Sequence, residues 1–506
     1  MSVSNTAGGD GKLLILAAIC MAALVLPLSF SGGALATPAI GRELGGSAVA
    51  LTWITNAFML SFGSLLMAAG ALADQFGRKK LFAIGMAGFT LTSLALAFAP
   101  TVGWLDALRA VQGVAAAAAL ASGSAALAQE FEGHALTRAF SMLGTTFGIG
   151  LAFGPLVAGL LIDAFGWRAI FLTTAAIGSV ALVFGIPRMR ETRDPEAAGL
   201  DWPGTITFSS TLALFTFGVI QAPESGWGSP LIVGILGLSA LLLGAFIVIE
   251  KRAERPMLDL SLFRYFRFVG VQLLPIGTCF CYIVLVVILP QRFIGVEGMS
   301  EIDAGWLMVA LSLPLLVVPV LVASMTRWVS AGVLSGIGFV IAAVGLQWLG
   351  AAGVGRIKLF LILPMLMIGI GAGMPWGLMD GLAVSVVPKD RAGMATGIFN
   401  TARVAGEGVT LAIVSAILAA LAHGVLDRTA GGASGAQLSQ AAQRIATSDI
   451  AKAAAVLPDA GRQMLVSVYA ESFQVLIHIL TVVTVLAAAA AFGLLGRTPK
   501  PPEDDS

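Results

Sequence analysis

Apolar runs of about twenty residues recur along almost the whole chain, and this repetition constrains the fold more than any other feature. As a helix, a run of that length crosses roughly 30 Å of hydrocarbon. Fourteen such runs are predicted, near residues 13–36, 50–71, 81–100, 104–128, 139–162, 169–187, 203–221, 230–250, 268–290, 303–325, 331–352, 358–386, 396–421 and 467–496. In lipid each backbone polar group must be satisfied internally, so spans of this kind have to be helices. Composition agrees, with 58% of residues hydrophobic and 11% charged, against roughly 25% charged in ordinary globular domains. The expected class is an all-α polytopic membrane protein. The first run is read as a membrane helix and not as a signal peptide, because it lacks a sizeable basic n-region and many spans follow it.

An even number of spans leaves both termini on one side. With the termini inside, the inner loops and tails hold eighteen Lys and Arg, against five in the short outer loops, namely Arg42, Arg168, Arg292, Arg356 and Lys358. The longer outer segment before the last helix adds only Arg428, Arg444, Lys452 and Arg462, so the positive-inside rule puts both termini in the cytoplasm. Trp53, Trp104, Trp167, Trp202, Trp227, Trp306 and Trp328 fall near predicted helix ends, as an aromatic belt does. A net charge of +1 without a basic stripe argues against nucleic acid as a partner. Cys20, Cys279 and Cys281 all sit in apolar runs, which argues against disulfides and a thiolate metal site. No HExxH, GxSxG or metal-ligand cluster occurs in a predicted span, so an enzyme is not expected. The outer segment 422–466 is rich in Ala, Gly, Gln and Ser; its QLSQAAQRIA and DIAKAAA stretches read as short amphipathic helices in a partly mobile excursion without a catalytic role.

Between the second and third runs lies GALADQFGRKK, Gly70 to Lys80. Gly70 and Gly77 permit a sharp turn and close approach, while Asp74 and Arg78 are spaced to pair across one helical turn. Gly70, Leu72, Asp74, Gly77, Arg78 and Lys79 resemble the loop 2-3 signature of the major facilitator superfamily of secondary transporters. In that family the loop is a conformational latch, which implies that Asp74 sits near the start of the thirteenth helix, around Gly393 to Gly397, where a helix dipole favours an anion. In the fourth run, Arg109, Gln112 and Gly113 resemble the family motif whose arginine is linked to proton transfer or to charge balance in the cavity; snorkelling to the outer interface is the alternative. Burying that guanidinium costs at least about 2.5 kcal/mol. The fifth run, GTTFGIGLAFGPLVAGLL, has small residues for backbone packing and a helix-bending proline. Its Gly150, Gly154, Pro155 and Gly159 resemble the antiporter motif of exporters in the superfamily, departing from it at Thr146 and Ala158.

DWPG at Asp201–Gly204, the outer turn at Gly226 and Trp227, and the ExxxxxPxLDLxLF run from Glu250 to Phe263 resemble the helix-pair insertion of the fourteen-helix drug:proton antiporters. RAGMATGIFNTARVAGEG, Arg391 to Gly408, resembles the start of their thirteenth helix. That subfamily has an acid in the first helix where this chain has Ser29, so proton chemistry must rest elsewhere. Glu407, about eleven residues into the thirteenth run and hence roughly 16 Å deep, is the first proton-coupling candidate, or else forms a structural ion pair with Arg403. Asp380 is the second, beside the four-residue glycine stripe Gly369, Gly373, Gly377 and Gly381. Phe30, Phe147, Phe280, Tyr282 and Met308 are candidates for a central cavity, since aromatic and thioether groups suit lipophilic cations.

The resemblance implies the major facilitator fold: two six-helix halves, residues 1–190 and 268–496, an inserted pair with linkers at 191–267, and a tail at 497–506. It also implies proton-coupled antiport exporting hydrophobic or cationic compounds across a bacterial inner membrane, with a proton gradient as energy source and no cofactor. A narrow exporter of one metabolite or antibiotic, a transport-dead sensor and an added periplasmic adaptor stay open.

Overall fold

The computed structural model describes residues 9–131, 133–192, 201–253, 258, 260–354, 358–386, 392–430 and 433–496. The spans are α1 (Gly9–Glu43), α2 (Ala48–Phe76), α3 (Arg78–Ala97), α4 (Val102–Glu130), α5 (Gly133–Phe165), α6 (Arg168–Gly185), α7 (Trp202–Ser225) and α8 (Pro230–Arg252). They continue as α9 (Phe266–Val296), α10 (Glu301–Met325), α11 (Ala331–Ala351), α12 (Lys358–Ser385), α13 (Ala392–Thr429) and α14 (Arg462–Leu495). Among the described residues thirteen helices are long and apolar enough to cross a membrane. A fourteenth, α5, is bent by 44° between Met142–Leu151 and Phe153–Phe165. Pro155 accounts for the bend, since its missing N–H leaves the carbonyl of Leu151 without its helical donor. Several helices overrun their apolar runs, α1 and α13 most, because hydropathy marks the hydrocarbon thickness while backbone bonding carries the helix past it.

Helix starts follow local chemistry. The side chains of Ser47, Thr101, Asp201, Ser229, Ser300 and Ser330 each accept a hydrogen bond from a backbone N–H three residues on, capping α2, α4, α7, α8, α10 and α11. Helix α9 departs from regularity at two π-helical turns, Cys279–Ile283 and Arg292–Val296.

α1 to α6 pack chiefly among themselves, as do α9 to α14. The two groups meet where α5 lies on α10, α2 on α13, and α1 on α9. α7 and α8 form a hairpin whose α7 touches both α2 and α13, with Ser209 Oγ donating to the Ser64 carbonyl at 2.9 Å. α9 is the most enclosed of the unbroken spans and α8 the least, so the inserted pair lies outside the central assembly. The described ends of α1 and α14 share one face, called proximal below; the opposite, distal face carries the α1–α2 and α13–α14 connections.

On the distal face the described residues of the 422–466 segment include two docked short helices. Helices Gly435–Ala446 and Ile450–Val456 bury Leu438, Ala441, Ala442 and Ile445. Arg444 donates to the Gly46 carbonyl at 2.9 Å and Lys452 to the Gly41 carbonyl at 3.0 Å, which ties the segment to the α1–α2 turn. Arg42 at the end of α1 pairs with Glu301 at the start of α10. Of the tryptophans expected at interfaces, Trp104, Trp202, Trp227, Trp306 and Trp328 are exposed, while Trp167 is buried and donates to Glu43 at 2.7 Å. The linker 193–200, Pro256 and Asp259 of the insertion signature, and the 497–506 tail lie outside the described residues.

Candidate functional site

Arg109 of α4 is 0% exposed and held from three sides. Its Nε donates to the Ile54 carbonyl of α2 at 2.8 Å, and its Nη1 donates to Ser29 Oγ of α1 at 3.0 Å and to Gln112 Oε1 at 2.7 Å. Gln112 Nε2 passes the chain on to Ser93 of α3 at 2.7 Å. The guanidinium also lies 4.3 Å from the Phe58 ring centroid. Arg109 therefore joins four helices of one half and does not snorkel, and Ser29 is one of its partners. Asp106, one turn earlier, adds an electrostatic contact with Arg109. Sequence reasoning passed over this acid, although an aspartate three residues before a buried arginine was the available signal.

Glu407 is 7% exposed on α13, the helix that meets α2 at the joint between the halves. Across that joint Gly63 of α2 meets α13 so closely that a Cβ there would stand 2.6 Å from Ala405 Cα, and Gly408 faces Met59 and Leu60. Arg403 makes its ion pair elsewhere, its Nη1 reaching Asp380 of α12 at 3.4 Å with the Phe399 ring centroid 5.7 Å away, and it acts on Glu407 only electrostatically. Asp380 is 62% exposed at its side chain, so of the two carboxylates it is the exposed one, and Glu407 the enclosed one. Glu407 also interacts electrostatically with Cys279, in the first π-turn of α9. The glycine stripe beside Asp380 packs as expected: a Cβ on Gly369, Gly373 or Gly377 would come within 3.0, 3.1 or 2.6 Å of Pro314, Val318 or Pro319 of α10, whereas Gly381 has open space.

α5 lies between the halves. Gly150 and Gly154 fit against α1, where a Cβ would stand 2.7 Å from Pro27 and 3.3 Å from Ser31 Cβ, and Gly159 fits against the Glu301 backbone of α10 at 3.1 Å. The Pro155 carbonyl faces Gly305 of α10. In this conformation Phe30, Tyr282 and Met308 are packed in the core, at 2%, 0% and 0% exposure, Tyr282 bonding Ser312 at 2.9 Å; Phe147 and Phe280 are partly exposed.

In the α2–α3 turn, Asp74 accepts from Arg78 Nε and Nη2 at 3.0 and 2.8 Å. The first turn of α3 is also capped from a distance, because Glu191 accepts from the backbone N–H of Lys79 and of Lys80, both at 3.2 Å, an anion at a helix N-terminus. Gly77 makes this possible with φ +117° and no Cβ, which would collide with the Glu191 carboxyl. The side chains around Gly393 to Gly397, the expected partner of Asp74, lie outside the described residues. Gly77→Ala should destabilise the protein by about 1–3 kcal/mol, the usual cost of a strained backbone position. Gly70→Ala should be neutral or slightly stabilising, since nothing lies within 4 Å of its Cβ direction and Gly is the poorer helix former. Thermal unfolding of both variants in detergent separates the two roles; equal midpoints would overturn this assignment.

Arg292, counted in an outer loop from the sequence, is instead 0% exposed inside α9. It pairs with Glu297 at 2.7 Å, donates to the Gly353 carbonyl, and lies 4.6 Å from the Phe473 ring centroid. The acid five residues on was the signal in the sequence.

The pattern of the Major Facilitator Superfamily matches residues 17–411. The chain is similar to the multidrug resistance protein Stp of Mycobacterium tuberculosis, 28% identical over 394 residues that cover 78% of this chain and 73% of the relative. It is similar also to a probable actinorhodin transporter of Streptomyces coelicolor, 31% identical over 412 residues that cover 76% and 68%. Its fold is shared with a bacterial homolog of the human lysosomal transporter Spinster in an inward-facing, unoccupied conformation, with a TM-score of 0.64, 14% identity, and 96% and 97% of the two chains covered.

Proposed function

The chain belongs to the Major Facilitator Superfamily, and on that premise we propose that this transporter exports hydrophobic or cationic drug-like compounds in exchange for protons. Relatives named for multidrug resistance and for transport of actinorhodin support export of drug-like compounds. One observation carries the coupling: Glu407 is an enclosed acid on α13, the helix that packs against α2 across the joint between the halves, where two halves rocking past each other would change its surroundings. The proximal face is cytoplasmic in this reading, and the membrane a bacterial inner membrane. A proton taken up at Glu407 from the distal side is released to the proximal side, where Asp380 and Arg403 stand in the vestibule, and substrate leaves in the opposite sense.

The test is uptake of ethidium into proteoliposomes under an imposed pH gradient. Accumulation should follow the gradient and collapse with a protonophore; flux indifferent to the gradient would overturn proton coupling. The relative named for actinorhodin favours a second reading, a narrow exporter of one antibiotic. A panel of unrelated lipophilic compounds decides between them by the number carried.

A further inference from the structure

A cavity of about 50 Å³ lies between α2, α7, α9 and α13, under the docked helix Gly435–Ala446. Thr55, Asn56, Gln291, Leu411, Ser415 and Gln443 are among its lining residues, and no ionisable side chain lines it. Asn56 is 0% and Thr55 3% exposed, yet Thr55 Oγ1 and both polar atoms of the Asn56 carboxamide have no hydrogen-bond partner in the protein. Buried polar groups are hydrogen-bonded in the great majority of cases, to protein or to ordered water. A buried water needs only about 10–15 Å³ and two to four polar partners, so this cavity has room for more than one.

The position of the cavity gives it a use. Gly63 lies against Ala405, and Gly408 against Met59 and Leu60, so the antiparallel register of α2 and α13 puts Asn56 level with the turn that begins at Leu411. Leu411 and Ser415 follow Glu407 by one and two turns on the same side of α13. From Glu407 to Leu411 is a rise of about 6 Å, the length of about two hydrogen bonds. Below Glu407 the next ionisable groups are Arg403 and the exposed Asp380; across from it stands Cys279 of α9. We infer that this chamber holds ordered water and is the distal half of the proton route to Glu407, with Asn56 and Thr55 orienting the water chain. A proton from the distal bulk passes along the chain, each water forming one O–H bond and breaking another, and the last transfer forms the O–H bond on the Glu407 carboxyl; no other reactant is needed.

The inference rests on the role proposed for Glu407, and the experiment keeps the two apart. Asn56→Leu replaces an unpartnered amide with an apolar group of similar size, a change that is near neutral for stability. In proteoliposomes it should slow gradient-driven ethidium flux about tenfold, some 1.4 kcal/mol on the barrier, and leave ethidium exchange at equal pH unchanged. Asn56→Ser, which supplies a hydroxyl in place of the amide, should recover most of the rate. A density map near 2 Å resolution should show water bonded to Asn56. A dry chamber, an Asn56→Leu variant with wild-type coupling, or equal losses in exchange and in driven flux would each overturn the inference, the last by making the chamber a substrate site. Gradient-driven flux that survives Glu407→Gln would overturn the role of Glu407, whatever Asn56→Leu does.

Discussion

Glu407→Gln should reduce gradient-driven export to the level of protein-free liposomes while leaving the protein folded and able to exchange substrate at equal pH. The reason is local. Glutamine keeps the shape of the side chain and removes the titrating oxygen, and Arg403 keeps its ion-pair partner Asp380, losing only its longer-range electrostatic contact with Glu407. A loss of coupling can therefore be read as loss of the proton carrier and not as collapse of the α2–α13 joint, whose contacts at Gly63 and Gly408 are untouched. The companion variant Asp380→Asn breaks an ion pair whose carboxylate is 62% exposed, worth no more than about 1 kcal/mol, and should keep most of the driven flux. Uptake of ethidium by both variants under an imposed gradient makes the comparison. If Glu407→Gln still accumulates ethidium and Asp380→Asn does not, the carrier is Asp380 and the enclosed carboxyl is a packing group.

The contrast between these two acids illustrates what can be read from one sequence. Both stand in apolar runs, and depth along the helix singled out Glu407, because distance from a helix end is a count of residues. The partner of Arg403 was not legible: Asp380 is 23 positions earlier on another helix, and only the packing of α12 on α13 selects it over an acid one turn away. The same limit explains Arg292. Its position near the end of an apolar run is equally compatible with a loop and with the last turn of a helix, and the acceptors that bury it, Glu297 and the Gly353 carbonyl, include one 61 positions away. Features fixed within one or two turns were readable, among them the Asp74–Arg78 pair and the glycine stripe on α12. Gly77 was half readable. A glycine at a turn suggests an unusual backbone, but the Glu191 carboxylate that its missing side chain admits comes from beyond the sixth span.

Arg109→Ala should cost on the order of 3 kcal/mol in stability, from acceptors left buried at about 1–3 kcal/mol each, and should abolish transport. The guanidinium serves the Ile54 carbonyl, Ser29 Oγ and Gln112 Oε1 together. Alanine strands all three where water has little access, apart from what Ser29 can return to Gln112 across 3.5 Å. It also removes the cation over Phe58, an interaction worth about 2 kcal/mol when desolvated. Arg109→Lys keeps the charge but not the planar fork that spans three acceptors, so it should recover part of the transport and less of the stability. That split matters. If Arg109 acted only through charge, lysine would restore function fully; if only as a strut, an uncharged hydrogen-bonding residue such as glutamine would do as well as lysine. Thermal unfolding and driven flux measured together on the Ala, Lys and Gln variants resolve the two contributions, and wild-type stability in Arg109→Ala would mean that the four-helix junction at Arg109 does not hold this half together.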